Sequence, residues 1–320
     1  MTGPEASPRL LVVGEALIDV VHRSDGAVDE APGGSPANVA LTLGRLGRAP
    51  QLLTRLGHDP HGETLRSWLA ASDVDVVSAP AERTATATAR LDESGAATYE
   101  FDLEWELAGT AAGPADWVHT GSVAALLQPG ADGVVALLEE SRATALVSYD
   151  PNIRPALLST ASVVRPQVEA LVALADVVKA SDEDLDWLYP GASVHEVAEL
   201  WLGLGASLVV VTRGAGGALA VTGAGVVAVD AEPVAVVDTV GAGDTFMGAL
   251  IDGLLDAGCS SAASRTALAG IPSTELAGIL RRCALAAAIT VSRPGADPPR
   301  RAELETSMAR RSASAAPTKG

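Results

Sequence analysis

The chain has 320 residues, 48% of them hydrophobic but only 3% aromatic, so one large α/β domain or two smaller ones must be packed from Ala, Val and Leu. A formal net charge of −18 argues against nucleic acid and anionic membranes as partners, because both are polyanions. Cys259 and Cys283 read as buried small hydrophobes, and residues 1–9 lack a signal-peptide core, so a cytoplasmic setting is expected.

Short β-rich runs alternate with helical patterns along the chain, which predicts a parallel sheet flanked by helices. The first strand is expected over 10–13. Asp19 follows it, at the strand end where open α/β sheets bind ligands, although a lone acid there is more often a turn or cap. Residues 18–28 form a short β-rich stretch with a turn at Ser24-Asp25-Gly26. Gly33-Gly34-Ser35-Pro36-Ala37-Asn38 then opens a helix, expected over 37–46, with Ser35 as its cap and Pro36 in its first turn. Asn38 is a polar residue in a largely apolar helix, and a ligand contact and a structural role stand level for it.

A strand over 51–55 and a helix over 62–71 flank the loop Gly57-His58-Asp59-Pro60-His61-Gly62. The His58/His61 pair has no acid or Cys cluster to complete a metal site. Residues 84–107 alternate Thr and Ala, turn at Asp92-Glu93-Ser94-Gly95 and return, which is a hairpin pattern. With 18–28 it could make a small antiparallel sheet projecting as a lid, or ordinary edge strands. Strands over 117–120 and 145–149 follow, separated by a helix over 132–142. Asp150-Pro151-Asn152-Ile153-Arg154-Pro155 closes the second of these strands. Asn152 and Arg154 suit sugar hydroxyls or a carboxylate, and a Pro-bounded surface loop is the plainer reading.

Helices over 163–173, 183–188 and 194–203 and strands over 177–179 and 208–212 continue the alternation. The turn Thr212-Arg213-Gly214-Ala215-Gly216-Gly217 could admit a nucleotide, but most glycine clusters are tight turns. A strand is expected over 234–237, then helices over 243–256 and 274–292. From about Pro299 the chain turns polar and predicts a weakly ordered tail over 300–320.

Between the last strand and helix lies Asp238-Thr239-Val240-Gly241-Ala242-Gly243-Asp244-Thr245-Phe246. A glycine turn leading into a helix offers free backbone N–H groups and the positive end of the helix dipole, which suits a phosphate. Asp244 beside it is a candidate proton acceptor for an attacking hydroxyl. No Gly-x4-Gly-Lys-Ser/Thr, Gly-x-Gly-x-x-Gly, His-Glu-x-x-His or Gly-x-Ser-x-Gly occurs, and lysine is confined to Lys179 and Lys319.

Taken together, these segments resemble the ribokinase-like (PfkB) carbohydrate kinases over residues 10–299. Both family signatures are present in order, one from Gly33 to Gly47 and the other from Asp238 to Phe246. The resemblance implies a three-layer α/β/α domain over 1–299 with a mainly parallel sheet and a small antiparallel β-lid from about 18–32 and 84–108. It implies ATP and Mg²⁺ as cofactors and a small-molecule sugar as partner, with a homodimer formed through the lid as one arrangement. By motif, Asp244 would be the general base, and the N–H groups of Gly241, Ala242 and Gly243 the anion hole. Asp19, Gly33, Gly34, Asn38, Asn152 and Arg154 would hold the sugar. Lys179, Ser181, Asp184, Thr212, Arg213, Gly214, Gly217 and Gly243 would lie along the nucleotide. Asp238, Val240, Thr290, Arg293 and Gly295 match a site for a monovalent cation such as K⁺.

One departure stands out. The family's Asn-x-x-Glu element aligns with Ser181-Asp182-Glu183-Asp184, which puts Ser and a shorter acid at its ends. Gly14-Glu15-Ala16-Leu17-Ile18-Asp19 and Lys179-Ala180-Ser181-Asp182-Glu183-Asp184-Leu185 look most like the fructokinase branch, so fructose is the expected acceptor. A 2-keto-3-deoxygluconate kinase or another sugar or nucleoside kinase stands behind it, and so does a non-catalytic sugar sensor. The intact Asp244 and anion-hole glycines argue against the sensor.

Overall fold

The computed structural model describes residues 7–91, 97–107 and 109–314. Nine strands form one sheet: β1 (Leu10–Val13), β4 (Gln51–Gly57), β5 (Asp75–Ala81), β8 (Trp117–Gly121), β9 (Leu146–Asp150), β10 (Val177–Ser181), β11 (Leu208–Thr212), β12 (Ala218–Thr222) and β13 (Gly225–Val229). Their order is β13-β12-β11-β10-β9-β8-β1-β4-β5. Strands β11 through β5 in that order run parallel, and β12 and β13 are added antiparallel at one edge.

The inner parallel strands are buried on both faces, so successive residues feed different cores. Leu10 and Val12 join the core under α1 (Ser35–Arg45), α2 (Pro60–Ala70), α7 (Ala242–Asp256) and α9 (Ser273–Val291). Leu11 and Val13 join the core under α3 (Gly130–Ser141), α4 (Ala161–Leu174), α5 (Asp182–Leu188) and α6 (Val194–Leu204). Helices thus cover both faces, which gives the expected three layers. The short helix α8 (Arg265–Ala269) leads into α9.

A second sheet has the order β3-β2-β6-β7, built from β2 (Leu17–His22), β3 (Val28–Gly33), β6 (Thr86–Leu91) and β7 (Ala97–Asp102). It comes from the two stretches that break the β/α rhythm, so they pair with each other rather than extending the main sheet. The pairing is mixed: β2 and β6 are parallel, while β2–β3 and β6–β7 are antiparallel. The expected turn at Asp92–Gly95 and residue 108 of the expected lid segment lie outside the described residues. Asp19 sits within β2, paired with Ala31, rather than in a loop after β1.

Two expectations fail. No strand forms over 234–237, where Val234, Val236 and Val237 are exposed and the backbone is irregular. Valine enrichment marks a strand only where a neighbour packs on it, and here none does. Residues 301–314 of the expected weakly ordered tail instead form α10 (Arg301–Ser314), and 315–320 lie outside the described residues. Leu304 is fully buried against the main core, and Arg301 Nη2 lies 2.6 Å from Asp252 Oδ1. Among the described residues no helix is long and apolar enough to cross a membrane.

Candidate active site

Strands β8, β9, β10 and β11 end at Gly121, Asp150, Ser181 and Thr212, so their C-terminal ends share one rim of the sheet. The chain leaves β1 toward β4 on one side, while β8 flanks it on the other, and ligands bind at such a switch point. Two cavities open there, of about 680 and 600 Å³, and Thr239 and Gly243 line both. The turn before α7 is therefore the wall the two cavities share.

Gly241 begins that turn in the left-handed region, with φ of 74°, and a Cβ on it would stand 2.7 Å from the Ala296 Cβ. Only glycine fits without displacement. The turn delivers Asp244 to the first turn of α7, 6% exposed. Ser35 Oγ donates to Asp244 Oδ1 at 2.7 Å, and Asn38 Nδ2 donates to Oδ2 at 2.8 Å. Asn152 Nδ2 adds a longer bond to Oδ1 at 3.3 Å. Three donors from two segments fix the orientation of one carboxylate. Ser35 is thus not the cap of α1. Gly34 takes the cap position without a side-chain bond, and Ser35 turns to Asp244 instead.

The larger cavity brings together Asp19, Gly34, Asn38, Asn152, Arg154, Gly241 and Asp244, and the lid sheet contributes Val21, Ala31, Ala87 and Phe101 to its wall. Gly33 lies just behind the wall, where a Cβ would fall 2.2 Å from Asp19 Oδ2. Burial pushes the Asp19 carboxyl up to about 6, and Arg154 opposes the shift while Asp244 adds to it. Arg154 donates to Asn152 Oδ1 at 2.6 Å, which orients both. Glu15 also lines this cavity, and burial lifts its carboxyl to about 7 against the hydrogen bonds it accepts from Ser122 and the Ala124 N–H.

The smaller cavity is lined by Thr212, Gly214, Gly217, Ala242 and Gly243 together with Val234, Val236, Ala284, Ala287 and Ala288. Aliphatic walls beside a glycine turn suit a flat base joined to phosphates. Arg213 belongs to the same β11–β12 turn but does not line the cavity, and its buried Nε has no hydrogen-bond partner.

Lys179 lies behind the shared turn, its Nζ 3.1 Å from where a Cβ on Gly243 would stand. It donates to Asp150 Oδ2 at 2.6 Å, and both side chains are buried. Burial works against the ammonium, but Asp150 outweighs it and holds the Lys179 pKa above its ordinary value. Burial raises Asp150 to about 6 against the pull of Lys179, so the pair is ionised at neutral pH. Ser181 and Asp184 do not line either cavity. They form the capping box of α5, with Asp184 Oδ2 accepting from the Ser181 N–H and Oδ1 from the Ile153 N–H. The shorter acid is committed to the backbone.

Around the matched cation positions, Asp238 accepts from the Val240 and Gly295 N–H groups and draws those two segments together. The Thr290 hydroxyl lies 3.1 Å from the Ala286 carbonyl and 3.0 Å from the Thr245 hydroxyl, and Arg293 pairs with Asp297 and Glu303. His61 meets Glu30 at 3.2 Å, and no group of three or more His, Cys, Asp or Glu converges among the described residues.

Sequence reasoning missed Glu15, Asp150 and the aliphatic walls. Glu15 and Asp150 each stand at the end of a buried strand, which is the one sequence signal they carry. Valines and alanines carry none.

The pfkB family carbohydrate kinase profile matches residues 7–302. A fructokinase from Klebsiella pneumoniae is 35% identical over 260 residues, covering 77% of this chain and 84% of that protein. The crystal structure of a fructokinase with bound ATP from Xylella fastidiosa superposes with a TM-score of 0.84 at 28% identity, covering 96% of this chain and all of that one. A fructokinase double mutant from Vibrio cholerae O395, in fructose, ADP and potassium ion bound form, superposes at 0.76 with 27% identity over 93% of this chain and 95% of that one. With Asp244 beside the Gly241–Gly243 turn and both signatures at one rim of the sheet, the chain belongs to the pfkB family of carbohydrate kinases.

Proposed function

We propose that the protein is an ATP-dependent fructokinase that transfers the γ-phosphate to a primary hydroxyl of fructose. The observation that carries the reading is the carboxylate of Asp244, held by Ser35 and Asn38 where the two cavities meet. The sugar lies in the larger cavity, with Asp19, Asn38, Asn152 and Asp244 in its wall, and the nucleotide in the smaller, between its aliphatic side chains. A sugar hydroxyl is a weak nucleophile, so placing it in line with the γ-phosphate supplies much of the acceleration. Asp244 accepts its proton as the new P–O bond forms. The N–H groups of Gly241, Ala242 and Gly243, with the positive end of α7, face the charge on the transferred group. The lid sheet closes over the sugar and keeps water from the nucleotide.

Charge selects the acceptor. Glu15, Asp19, Asp29, Asp238 and Asp244 line the sugar cavity against one cation, Arg154, which is tied to Asn152. An acid substrate such as 2-keto-3-deoxygluconate meets repulsion there, and a neutral ketose does not.

Mg²⁺ would arrive on the nucleotide phosphates and keep most of its waters, since no protein cage converges for it. Both Asp184 oxygens are taken by backbone N–H groups, so Asp150, whose buried Oδ1 has no hydrogen-bond partner, is the carboxylate fitted to hold it through water. Bound there, the ion would offset phosphate charge. Potassium activation would run through the carbonyls near Val240 and Gly295. The enzyme would act in the cytoplasm, as two free buried cysteines and an ATP substrate suggest, and as a homodimer closed by its lid sheets.

The test is ADP release from MgATP with fructose, ribose, 2-keto-3-deoxygluconate and nucleosides in turn. The reading expects fructose to give the highest kcat/KM. ADP release with none of them would point to a binding protein, and a better acid substrate would overturn the charge argument.

A further inference from the structure

The C-terminal helix reaches the nucleotide cavity. Glu232 lines that cavity, and it forms an ion pair with Arg311 in the last turn of α10. Glu232 is 20% exposed and Arg311 43%. The helix is anchored well before that point. Leu304 is fully buried, Arg301 Nε donates to the Leu46 carbonyl at 2.6 Å, and Arg301 Nη2 reaches the buried Asp252. Glu303 pairs with Arg293, and Met308 packs on the core beside Arg282. The family profile stops at residue 302, so nearly all of α10 lies beyond it.

Glu232 follows the edge strand β13, whereas Gly243 stands over Lys179 of β10, and the two line one cavity across the sheet rim. The Val237 N–H donates to the Val291 carbonyl at 2.8 Å, which joins the irregular segment to the end of α9 beside the shared turn. From that junction two runs line the cavity together. One goes back along the irregular segment from Thr239 through Val236 and Val234 to Glu232, and seven residues of irregular chain can span up to ~23 Å. The other goes back along α9 from Val291 to Ala284, about 10 Å of helix. A triphosphate seated at Gly243 therefore directs its base toward Glu232.

We infer that α10 completes the nucleotide site, with Arg311 holding the Glu232 carboxylate so that it accepts a hydrogen bond from the exocyclic amine of adenine. Arg311 engages Oε2, so the bond to the base would come to Oε1. A carboxylate accepts and does not donate, so a 6-oxo purine in the same place sets its oxygen against the charge. Glu232 is the one charged side chain in the lining, which is otherwise aliphatic or glycine apart from Thr212, Thr239 and Phe246. Glu232 is then the specificity-determining residue for the nucleotide and Arg311 a positioning residue. The inference rests on the reading that a purine nucleotide occupies this cavity.

ITP replaces this amine with an oxygen and carries a proton on the neighbouring N1, leaving the rest of ATP unchanged, which makes it the probe. For the wild-type enzyme kcat/KM is expected to favour ATP over ITP by roughly tenfold or more, the scale set by a site built to hydrogen-bond its ligand. Glu232→Ala should bring that ratio near one while the KM for fructose stays within about twofold. Arg311→Ala should lower the ratio, and Arg311→Lys should restore part of it. A general loss of fold would lower both nucleotides alike and leave the ratio unmoved. Calorimetric titration with ADP and IDP gives the same comparison without turnover. Equal use of ATP and ITP by the wild type, or an unchanged ratio in Glu232→Ala, would overturn the inference and leave the kinase reading standing. Binding of neither ADP nor IDP would remove both.

Discussion

Lys179 and Asp150 form a buried ion pair, 2.6 Å apart, directly behind the glycine turn that carries Asp244. A lone ammonium or carboxylate in that position would be costly, so each residue depends on the other. Lys179→Met leaves Asp150 buried and unpaired and is expected to destabilise the protein by about 3–5 kcal/mol. The double variant Lys179→Met/Asp150→Leu should recover much of that in thermal melts, yet remain poor in turnover because the charge behind Gly243 is gone. Full recovery of turnover in the double variant would make the pair purely structural.

Asn38 Nδ2 and Ser35 Oγ bond to different oxygens of Asp244. Losing one lets the carboxylate rotate away from the hydroxyl it must face. Asn38→Ala is expected to lower kcat by about 10–100-fold, the scale of a misplaced reacting group, and Ser35→Ala by less. Melting temperatures of both variants, measured beside their kinetics, separate this from unfolding.

The pH dependence of stability should carry the mark of Glu15. Its carboxyl ordinarily titrates near 4.5, and burial raises it to about 7 in the fold. Between those values the folded chain keeps a proton that the unfolded chain releases. The stability from that proton is complete below pH 4.5 and is lost as pH rises to about 7. Glu15→Gln keeps an acceptor for the Ala124 N–H and has no proton to lose. Its stability relative to wild type should therefore rise across this window, by on the order of 3 kcal/mol, and level off above it. A difference that stays flat from pH 4.5 to 7 in urea titrations would contradict the assignment.

Asp252 is fully buried and meets Arg48, Arg282 and Arg301, each from a different segment. Asp252→Ala should cost about 3–5 kcal/mol, because three guanidinium groups lose their shared partner. Arg301 is one-third exposed, so Arg301→Ala should cost only about 1 kcal/mol. Even so, it should speed proteolysis at α10 before the rest of the chain is cut.

Much of this architecture is legible in the residues alone. The parallel strands read as short valine and leucine runs because both faces are buried. The two glycine signatures mark places where backbone stands open to a cavity. The lid could be read as a hairpin plus a short β stretch, but whether those stretches pair with each other is decided by contacts outside either one. The misses share a cause. Val234 to Val237 look like a strand, but no neighbour offers them a ladder. The last helix looks like a polar tail because its buried stripe is little more than Leu304 and Met308, and its anchor, Asp252, lies 49 positions away in sequence. Ser35 reads as a helix cap until Asp244, 209 positions away, claims its hydroxyl. Ser181 and Asp184 read as a nucleotide element until the capping box shows both engaged.

The central claim is that Asp244 takes the proton from the sugar hydroxyl, and Asp244→Asn tests it most directly. Asparagine keeps the shape of the side chain and loses its basicity. With MgATP and fructose, kcat is expected to fall by about three orders of magnitude or more, with the fold and nucleotide affinity retained. Turnover close to wild type in a folded, nucleotide-binding Asp244→Asn enzyme would contradict the account.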